Sequence, residues 1–394
     1  MNVCFIGGVR VSQPLDATSR KKFAALERLG EMFVVGFATG LTPQRFTEHA
    51  HFYLLPLLPL PLLRYLELFG CGWLVALWLI WRQNVTVLVA QSPYEGVPAA
   101  IAKIVAGWGG RRVALIVESH GDFEQALFLH RRIVCAALVR TLMRLTASLV
   151  LPQADVLRSI SQATTAQLYR WRPDAPVVQF MAWTDIDVFF EAGRHRAIDI
   201  DPEQVILFSG VLVPAKGVIY LMNAFALLAA EYPDARLVLI GKLHDPEYVA
   251  ALQRRLTELD LRSRITFVPH LAQLELAQWM AQALVFVLPS LSEGLGRVVI
   301  EAMAAGTPVI GSAVGGIPDL IQAGQNGWLV PPADERALAQ QLRWVLEHPA
   351  QTRQMGQQAA AFARQFFSEA GYVAGYAKLF TAATAPVQSS EGTT

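Results

Sequence analysis

The chain has 394 residues, 53% of them hydrophobic and 16% charged, with a formal net charge of +1. That apolar share excludes an intrinsically disordered chain, and at roughly 100–200 residues per domain it suits two buried cores. Three widely spaced cysteines (Cys4, Cys71, Cys135) lack metal-ligand or CxxC spacing, which excludes a disulfide framework or a cysteine-held metal and fits a reducing cytosol.

The N-terminus, NVCFIGG over 2–8, reads at once as a strand closed by a Gly-Gly turn rather than as a signal peptide. A helix follows over 18–30, then strands over 31–37 and 51–55. Residues 66–82 form a long apolar helix. Its longest uncharged run, Leu68 to Trp81, is 14 residues. A spanning helix needs about 20 residues, so this one is expected to be buried or to graze a membrane. Continuous apolar runs at 85–91, 112–119 and 147–152 suit parallel strands covered on both faces, with helices over 96–107 and 131–145 between them. The polar stretch 184–204 breaks this rhythm and predicts a linker between domains. Strands then recur at 205–210, 236–241, 264–269, 284–289 and 307–312, alternating with helices at 217–231, 247–259, 273–282, 297–305 and 316–323. Three more helices (333–347, 350–366, 369–384) and a polar tail end the chain. The alternation predicts an α/β protein with two doubly wound parallel sheets. The expected domains are 1–183 and 205–366, joined by the linker 184–204, with a helix over 367–384 that crosses back to the first domain and a tail over 385–394.

The most informative stretch is LPSLSEGLGRVVIEAMAAGTPVIGSAVGGIPDLI, residues 288–321. A strand ends at Leu288-Pro289, a Gly-rich loop follows, and a helix opens near Arg297. Ligands of open parallel sheets bind beyond the carboxyl ends of the strands, and a Gly-rich turn into a helix offers free backbone N–H groups to phosphate. Seven residues separate Glu293 in the loop from Glu301 in the helix. Glu301 stands among Val298, Val299, Ile300, Ala302 and Met303, so it is expected to be largely buried and to need a partner. From the pattern alone that partner is either a neighbouring protein group or ligand hydroxyls.

This stretch resembles the signature of the family-four retaining glycosyltransferases, of the group 1 type and the GT-B fold. The shared features are Glu293, Glu301-Ala302-Met303, Gly306, Pro308-Val309-Ile310 and Gly315-Gly316. The resemblance implies two Rossmann-like domains facing a central cleft, with a nucleotide-diphosphate-sugar donor as substrate and no cofactor or metal. It implies that Glu301 binds the donor ribose and Glu293 the transferred sugar. Gly294, Leu295 and Gly296 would offer backbone N–H groups to sugar and diphosphate. Gly7 and Gly8 would let the first strand's loop approach the diphosphate, and His270, in RITFVPHL, would neighbour the base.

Two further segments carry the resemblance. In FSGVLVPAKGVIYLMNAF (208–225), Gly210, Lys216 and Gly217 match, and Lys216 is implied to neutralise the leaving diphosphate. The family's arginine is replaced by Val211, and Arg297 is the candidate substitute. In VESHGDFEQ (117–125), His120 takes the place of a histidine that reaches the donor sugar and the reaction centre. The implied catalytic residues are therefore His120, Glu293 and Lys216.

The acceptor is expected on the first domain. Residues 1–190 carry 18 Lys and Arg against 13 Asp and Glu, a net of +5, and residues 191–394 a net of −4. Arg131, Arg132, Arg140 and Arg144 interleave with Leu127, Phe128, Ile133, Leu138 and Leu142, which makes either a helix packed on the sheet or a surface for anionic lipid. The expected partners are the donor, a glycan or lipid-linked acceptor and a peripheral contact with an anionic membrane, in a cytoplasmic protein. No basic stripe with interleaved aromatics points to nucleic acid. Two rival readings are a nucleotide-sugar epimerase of the same fold and, because of Val211, a catalytically impaired nucleotide-sugar-binding protein.

Overall fold

The computed structural model describes residues 1–124, 128, 135–194, 204–243 and 245–385. The chain divides into two compact units. The first holds Met1–Glu124, 135–183 and the helix Glu369–Thr384, and the second holds Thr184–Ser368.

The first unit is built on eight strands: β1 (Asn2–Arg10), β2 (Glu31–Phe37), β3 (Gln44–Thr47), β4 (His51–Leu55), β5 (Val87–Ala90), β6 (Ala114–Ser119), β7 (Val156–Ser159) and β8 (Val177–Gln179). Their order is β3-β4-β2-β1-β5-β6-β7-β8. β3 runs antiparallel to β4, and the other pairings are parallel. Successive side chains of β1 serve opposite faces. Val3 and Phe5 pack with Tyr372, Tyr376, Leu379 and Phe380 of the C-terminal helix. Cys4 and Ile6 pack on the other face with Leu68, Ala76 and Ile80 of the helix Pro61–Arg82 and with Ala99 and Ala102 of the helix Val97–Trp108.

Several local expectations are corrected. Residues 147–152 are not a strand. They complete the helix Ala136–Val150 and a 3-10 turn, and the sheet strand is β7, which begins nine residues later than expected. The apolar run there is one turn of an amphipathic helix: Ala147 and Val150 are buried, while Leu145 and Leu149 are exposed. The true strand, VLRS, was hidden by its arginine. Gly7 and Gly8 do not end β1; they lie in an irregularity between Ile6 and Arg10, where the pairing with β2 shifts register. The apolar helix starts at Pro61 and runs 22 residues, long and apolar enough to cross a membrane, though Leu68, Gly72, Ala76, Leu79 and Ile80 are buried in the unit. Of the expected basic segment, Leu127, Arg131, Arg132 and Ile133 lie outside the described residues, as do part of the expected linker (195–203) and most of the expected tail (386–394).

The second unit has six parallel strands, β9 (Val205–Ser209), β10 (Arg236–Ile240), β11 (Ile265–Val268), β12 (Val285–Leu288), β13 (Val309–Ser312) and β14 (Gly327–Val330), in the order β11-β10-β9-β12-β13-β14. Every residue of β9, β12 and β13 is buried. Helices cover both faces of such a sheet, so its strands read as unbroken apolar runs. The order reverses between β9 and β12, and there the chains leaving the carboxyl ends part to opposite sides and open a crevice.

Candidate functional site

The reversal in the second unit brings two distant segments together. β9 leads through Gly210 into the turn Pro214–Lys216, and β12 leads into the loop 289–296. The Leu291 N–H donates to the Ala215 carbonyl at 2.8 Å, which ties the segments together. The Lys216 ammonium then donates to Glu293 Oε1 at 2.5 Å, and the Ser290 hydroxyl donates to the same oxygen at 2.7 Å. Two residues 77 apart in sequence thus form one half-buried ion pair at the sheet's switch point. The two charges neutralise each other.

Two glycines hold this loop close to its neighbours. Gly217 has φ +63°, and a Cβ on it would stand 2.1 Å from the Pro289 carbonyl oxygen. Gly315 has φ +56°, and its Cβ would stand 1.9 Å from the carbonyl oxygen of Glu293 itself. Gly315→Ala is expected to displace the Glu293 loop and to cost about 2–3 kcal/mol from the disfavoured φ and the forced shift. Urea denaturation of the variant beside the parent checks this.

Beyond the pair, the Gly294 carbonyl accepts from the Gly316 N–H at 3.0 Å, and the Leu295 side chain is buried. Gly296, at φ +81°, opens the helix Arg297–Ala304. Glu301 lies on that helix. Burial pushes its carboxyl up to about 7, against the opposing charge of Arg297. The Arg297 guanidinium donates to the Thr184 hydroxyl at 3.1 Å, and its charge acts on Glu301. Gly210 donates to the Ile240 carbonyl at 2.9 Å, and Val211 is exposed and brings no charge. His270 is exposed just past β11, the edge strand, two strands from β9.

The first unit has its own polar cluster at the carboxyl ends of β1, β5 and β6. The Gly8 N–H donates to Glu95 Oε2 at 3.0 Å, and a Cβ on Gly8 would stand 2.6 Å from the other oxygen of that carboxylate. Burial raises the Glu95 carboxyl, with the Gly8 N–H, Ser92 and His120 pulling the other way. A Cβ on Gly7 would meet the Gln91 side chain at 2.6 Å. His120 Nε2 is 2.9 Å from Glu118 Oε2. Glu118 is buried on β6 directly beside Arg158 of β7, its register partner. Glu118 Oε1 accepts from Arg158 Nη1 at 3.0 Å and from the Tyr376 hydroxyl at 2.7 Å. Burial favours the neutral acid, but the Arg158 charge, and the hydrogen bond and charge of His120, hold Glu118 far below the usual carboxylate range. The Arg158 guanidinium lies 4.0 Å above the Phe180 ring.

Glu95, Glu118, Arg158 and Tyr376 were not singled out by sequence reasoning. The available signal was a charge inside an apolar strand: Glu in VALIVESH and Arg in VLRSIS. Among the described residues, no group of three or more His, Cys, Asp and Glu is placed to hold a metal ion.

Residues 194–362 match the model of the family described as glycosyl transferases group 1. The chain is 38% identical over 169 residues to the D-inositol 3-phosphate glycosyltransferase of Streptomyces coelicolor, a match that covers 41% of this chain and 36% of that protein. It therefore spans just over a third of the length of the curated relatives it matches. Solved structures match over nearly the whole length. Sucrose-phosphate synthase of Thermosynechococcus elongatus superposes with a TM-score of 0.74 at 22% identity, covering 96% of this chain and 98% of that one. HepE of Anabaena, in complex with UDP and glucose, gives 0.72 at 21% identity, covering 97% and 99%. The full-length likeness gives the fold, the GT-B fold implied by the motif, and residues 194–362 are similar to the group 1 glycosyl transferases.

Proposed function

We propose that this protein is a retaining glycosyltransferase. It moves a sugar from a nucleotide-diphosphate donor to an acceptor hydroxyl, without a cofactor, in the assembly of a polysaccharide or glycolipid at the cytoplasmic face of a membrane. The observation that carries this reading is the meeting of Lys216 and Glu293 at the switch point of the second unit. A donor can exchange with that pair. Its diphosphate takes the Lys216 ammonium, and the released Glu293 carboxylate accepts from hydroxyls of the sugar. Glu301 accepts from the ribose, and N–H groups from Gly294 to Arg297 line the sugar and diphosphate. The anomeric C–O bond to the diphosphate then breaks as the acceptor oxygen bonds on the same face, and the acceptor proton passes to the leaving phosphate oxygen. Such a step asks the protein for positioning and charge stabilisation.

Incubation with nucleotide sugars tests the reading, with UDP-glucose first because the HepE structures hold UDP, glucose and UDP-glucose. A ligand at about 100 times its dissociation constant adds roughly 2.7 kcal/mol of stability, a readable thermal shift. The expected result is a shift from one nucleotide class, abolished in Glu301→Ala, and a product that keeps the donor's anomeric configuration. An inverted product excludes retention. A shift with no transfer across a broad acceptor panel turns the reading toward a nucleotide-sugar-binding protein, as Val211 suggests.

The membrane part rests on the first unit. Leu138, Leu142, Leu145 and Leu149 are exposed along one helix that also bears Arg140 and Arg144, and Trp81 and Trp108 are exposed on neighbouring helices. Apolar side chains with basic neighbours suit an anionic bilayer surface. Leu142→Glu with Leu145→Glu is expected to cut co-sedimentation with anionic vesicles at least tenfold. The solution activity on a soluble acceptor should remain. Equal sedimentation of parent and variant contradicts the docking.

A further inference from the structure

The role that the resemblance implies for His120, at the donor sugar, depends on which ring nitrogen carries the proton, and the first unit contains the means to decide it. Glu118 Oε2 lies 2.9 Å from Nε2 of His120. The other oxygen is held by two donors, Arg158 Nη1 at 3.0 Å and the Tyr376 hydroxyl at 2.7 Å. Glu118, Arg158 and Tyr376 are all buried, and Glu118 sits two residues before His120 on an extended chain, so both side chains point to the same side. Arg158 is itself held by its place on Phe180 and beside Tyr376. Arg158 Nη1 donates to Glu118 Oε1 and, at 3.4 Å, to the Tyr376 hydroxyl, so the three groups hold one another.

We infer that Glu118, clamped by Arg158 and by Tyr376 of the C-terminal helix, is a positioning residue that fixes His120 in its Nε2–H tautomer and leaves Nδ1 for the substrate. The reason is the donor and acceptor inventory. An ionised carboxylate can only accept, so the ring nitrogen facing it must donate. In the neutral imidazole the proton then resides on Nε2 and the lone pair on Nδ1. The His120 side chain is 44% exposed, and its outer edge is open to a ligand. The other charged groups that act here are Glu95, through its interaction with His120, and Lys22, through its interaction with Glu118. The tertiary arrangement has a further consequence. The helix Glu369–Thr384 touches Glu118 of β6 through the Tyr376 hydroxyl, so removing that helix removes a constraint on the carboxylate that faces His120.

A glutamine at position 118 changes the inventory. Its single oxygen is claimed by Arg158 and Tyr376, and its amide N–H₂ faces Nε2, which must then accept. Nuclear magnetic resonance of ring-¹⁵N-labelled protein, at mildly alkaline pH and without substrate, reads this directly, with His120→Gln to assign the signal. In the parent, Nε2 is expected to report as the protonated nitrogen and Nδ1 as the bare one. A parent ring in the Nδ1–H form, or averaging between forms, overturns the inference before any variant is made. In Glu118→Gln the two nitrogens are expected to exchange roles. Should that variant fail to fold around an unpaired Arg158, Glu118→Gln with Arg158→Met removes both buried charges and serves the same test. An unchanged tautomer in the folded variant overturns the inference.

The consequence for turnover rests on the transferase reading above. There, kcat is expected to fall about 10²-fold, the scale of a misplaced contact at the reaction centre, with the donor KM unchanged. The two readings fail separately. An exchanged tautomer in a protein that transfers no sugar leaves this inference standing and removes the function. Normal transfer with an unmoved tautomer does the reverse.

Discussion

Arg158→Met is expected to destabilise the first unit by about 3–5 kcal/mol, the usual cost of leaving one member of a buried ion pair alone. Arg158 and Glu118 are both nearly inaccessible, and methionine preserves much of the arginine's apolar volume, so the loss is chiefly one of charge. The pH dependence carries the sign. In the parent, the folded-state value of Glu118 is depressed below its ordinary 4.5, so its contribution is fully present above that value and is lost as acid titrates the carboxyl. Without Arg158, burial dominates and the value rises instead. The variant should therefore lose stability as pH rises from the carboxylate range, the reverse of the parent's trend. Denaturant titrations at pH 5 and pH 8 would show the variant losing stability between them while the Glu118 contribution of the parent stays constant. Adding Glu118→Gln should recover most of the loss, because the interior is then neutral. A single-variant cost below about 1 kcal/mol would contradict the pairing.

Glu301→Gln is expected to make the ligand-free protein more stable at pH 8, by up to about 3 kcal/mol, while weakening its hold on the donor. Burial raises Glu301 from 4.5 to about 7, a difference worth about 1.4 kcal/mol per unit. The folded state therefore binds this proton more readily than the unfolded chain does. Its stabilising effect is full below pH 4.5 and disappears as pH rises through 7. Glutamine is free of that dependence, so parent and variant should melt alike near pH 4.5 and diverge above it. Under the proposed function, ribose hydroxyls donate to the ionised carboxylate and take over the role of lost water. Donor affinity of the parent should then rise as pH passes 7, and the variant should lose both affinity and its pH dependence. Calorimetric titration at pH 6 and 8 separates these outcomes. A variant that is less stable and binds equally well contradicts the assignment.

Much of the second unit was readable because its strands are short, apolar and covered on both faces, and because its loop motif is long. Glu293, Gly294, Gly296 and Glu301 fall where a strand-loop-helix reading puts them, and Gly315 stands against the Glu293 backbone. The first unit was less legible in two places. An amphipathic helical turn at 147–152 presents the same apolar residues as a strand, and periodicity over so few residues cannot separate them. β7 carries a buried arginine, which a hydrophobic pattern treats as a boundary. Its partner is the opposite residue of β6, and neighbouring strands are far apart in sequence.

What the sequence determined by itself was local: an α/β chain of two parallel sheets, the strand-to-helix loop at 289–296, and the residue types suited to phosphate and hydroxyl binding. These follow from the alternation of side chains and from glycine's freedom, which depend on near neighbours in the chain. The tertiary structure alone decided which of those residues meet. It brought Lys216 to Glu293 across a change in strand order, set Arg158 beside Glu118 through strand register, and returned Tyr376 from the end of the chain to the same carboxylate. Burial pushes both Glu118 and Glu301 toward the neutral acid; the buried Arg158 guanidinium reverses this for Glu118, whereas the exposed Arg297 only partly offsets it for Glu301.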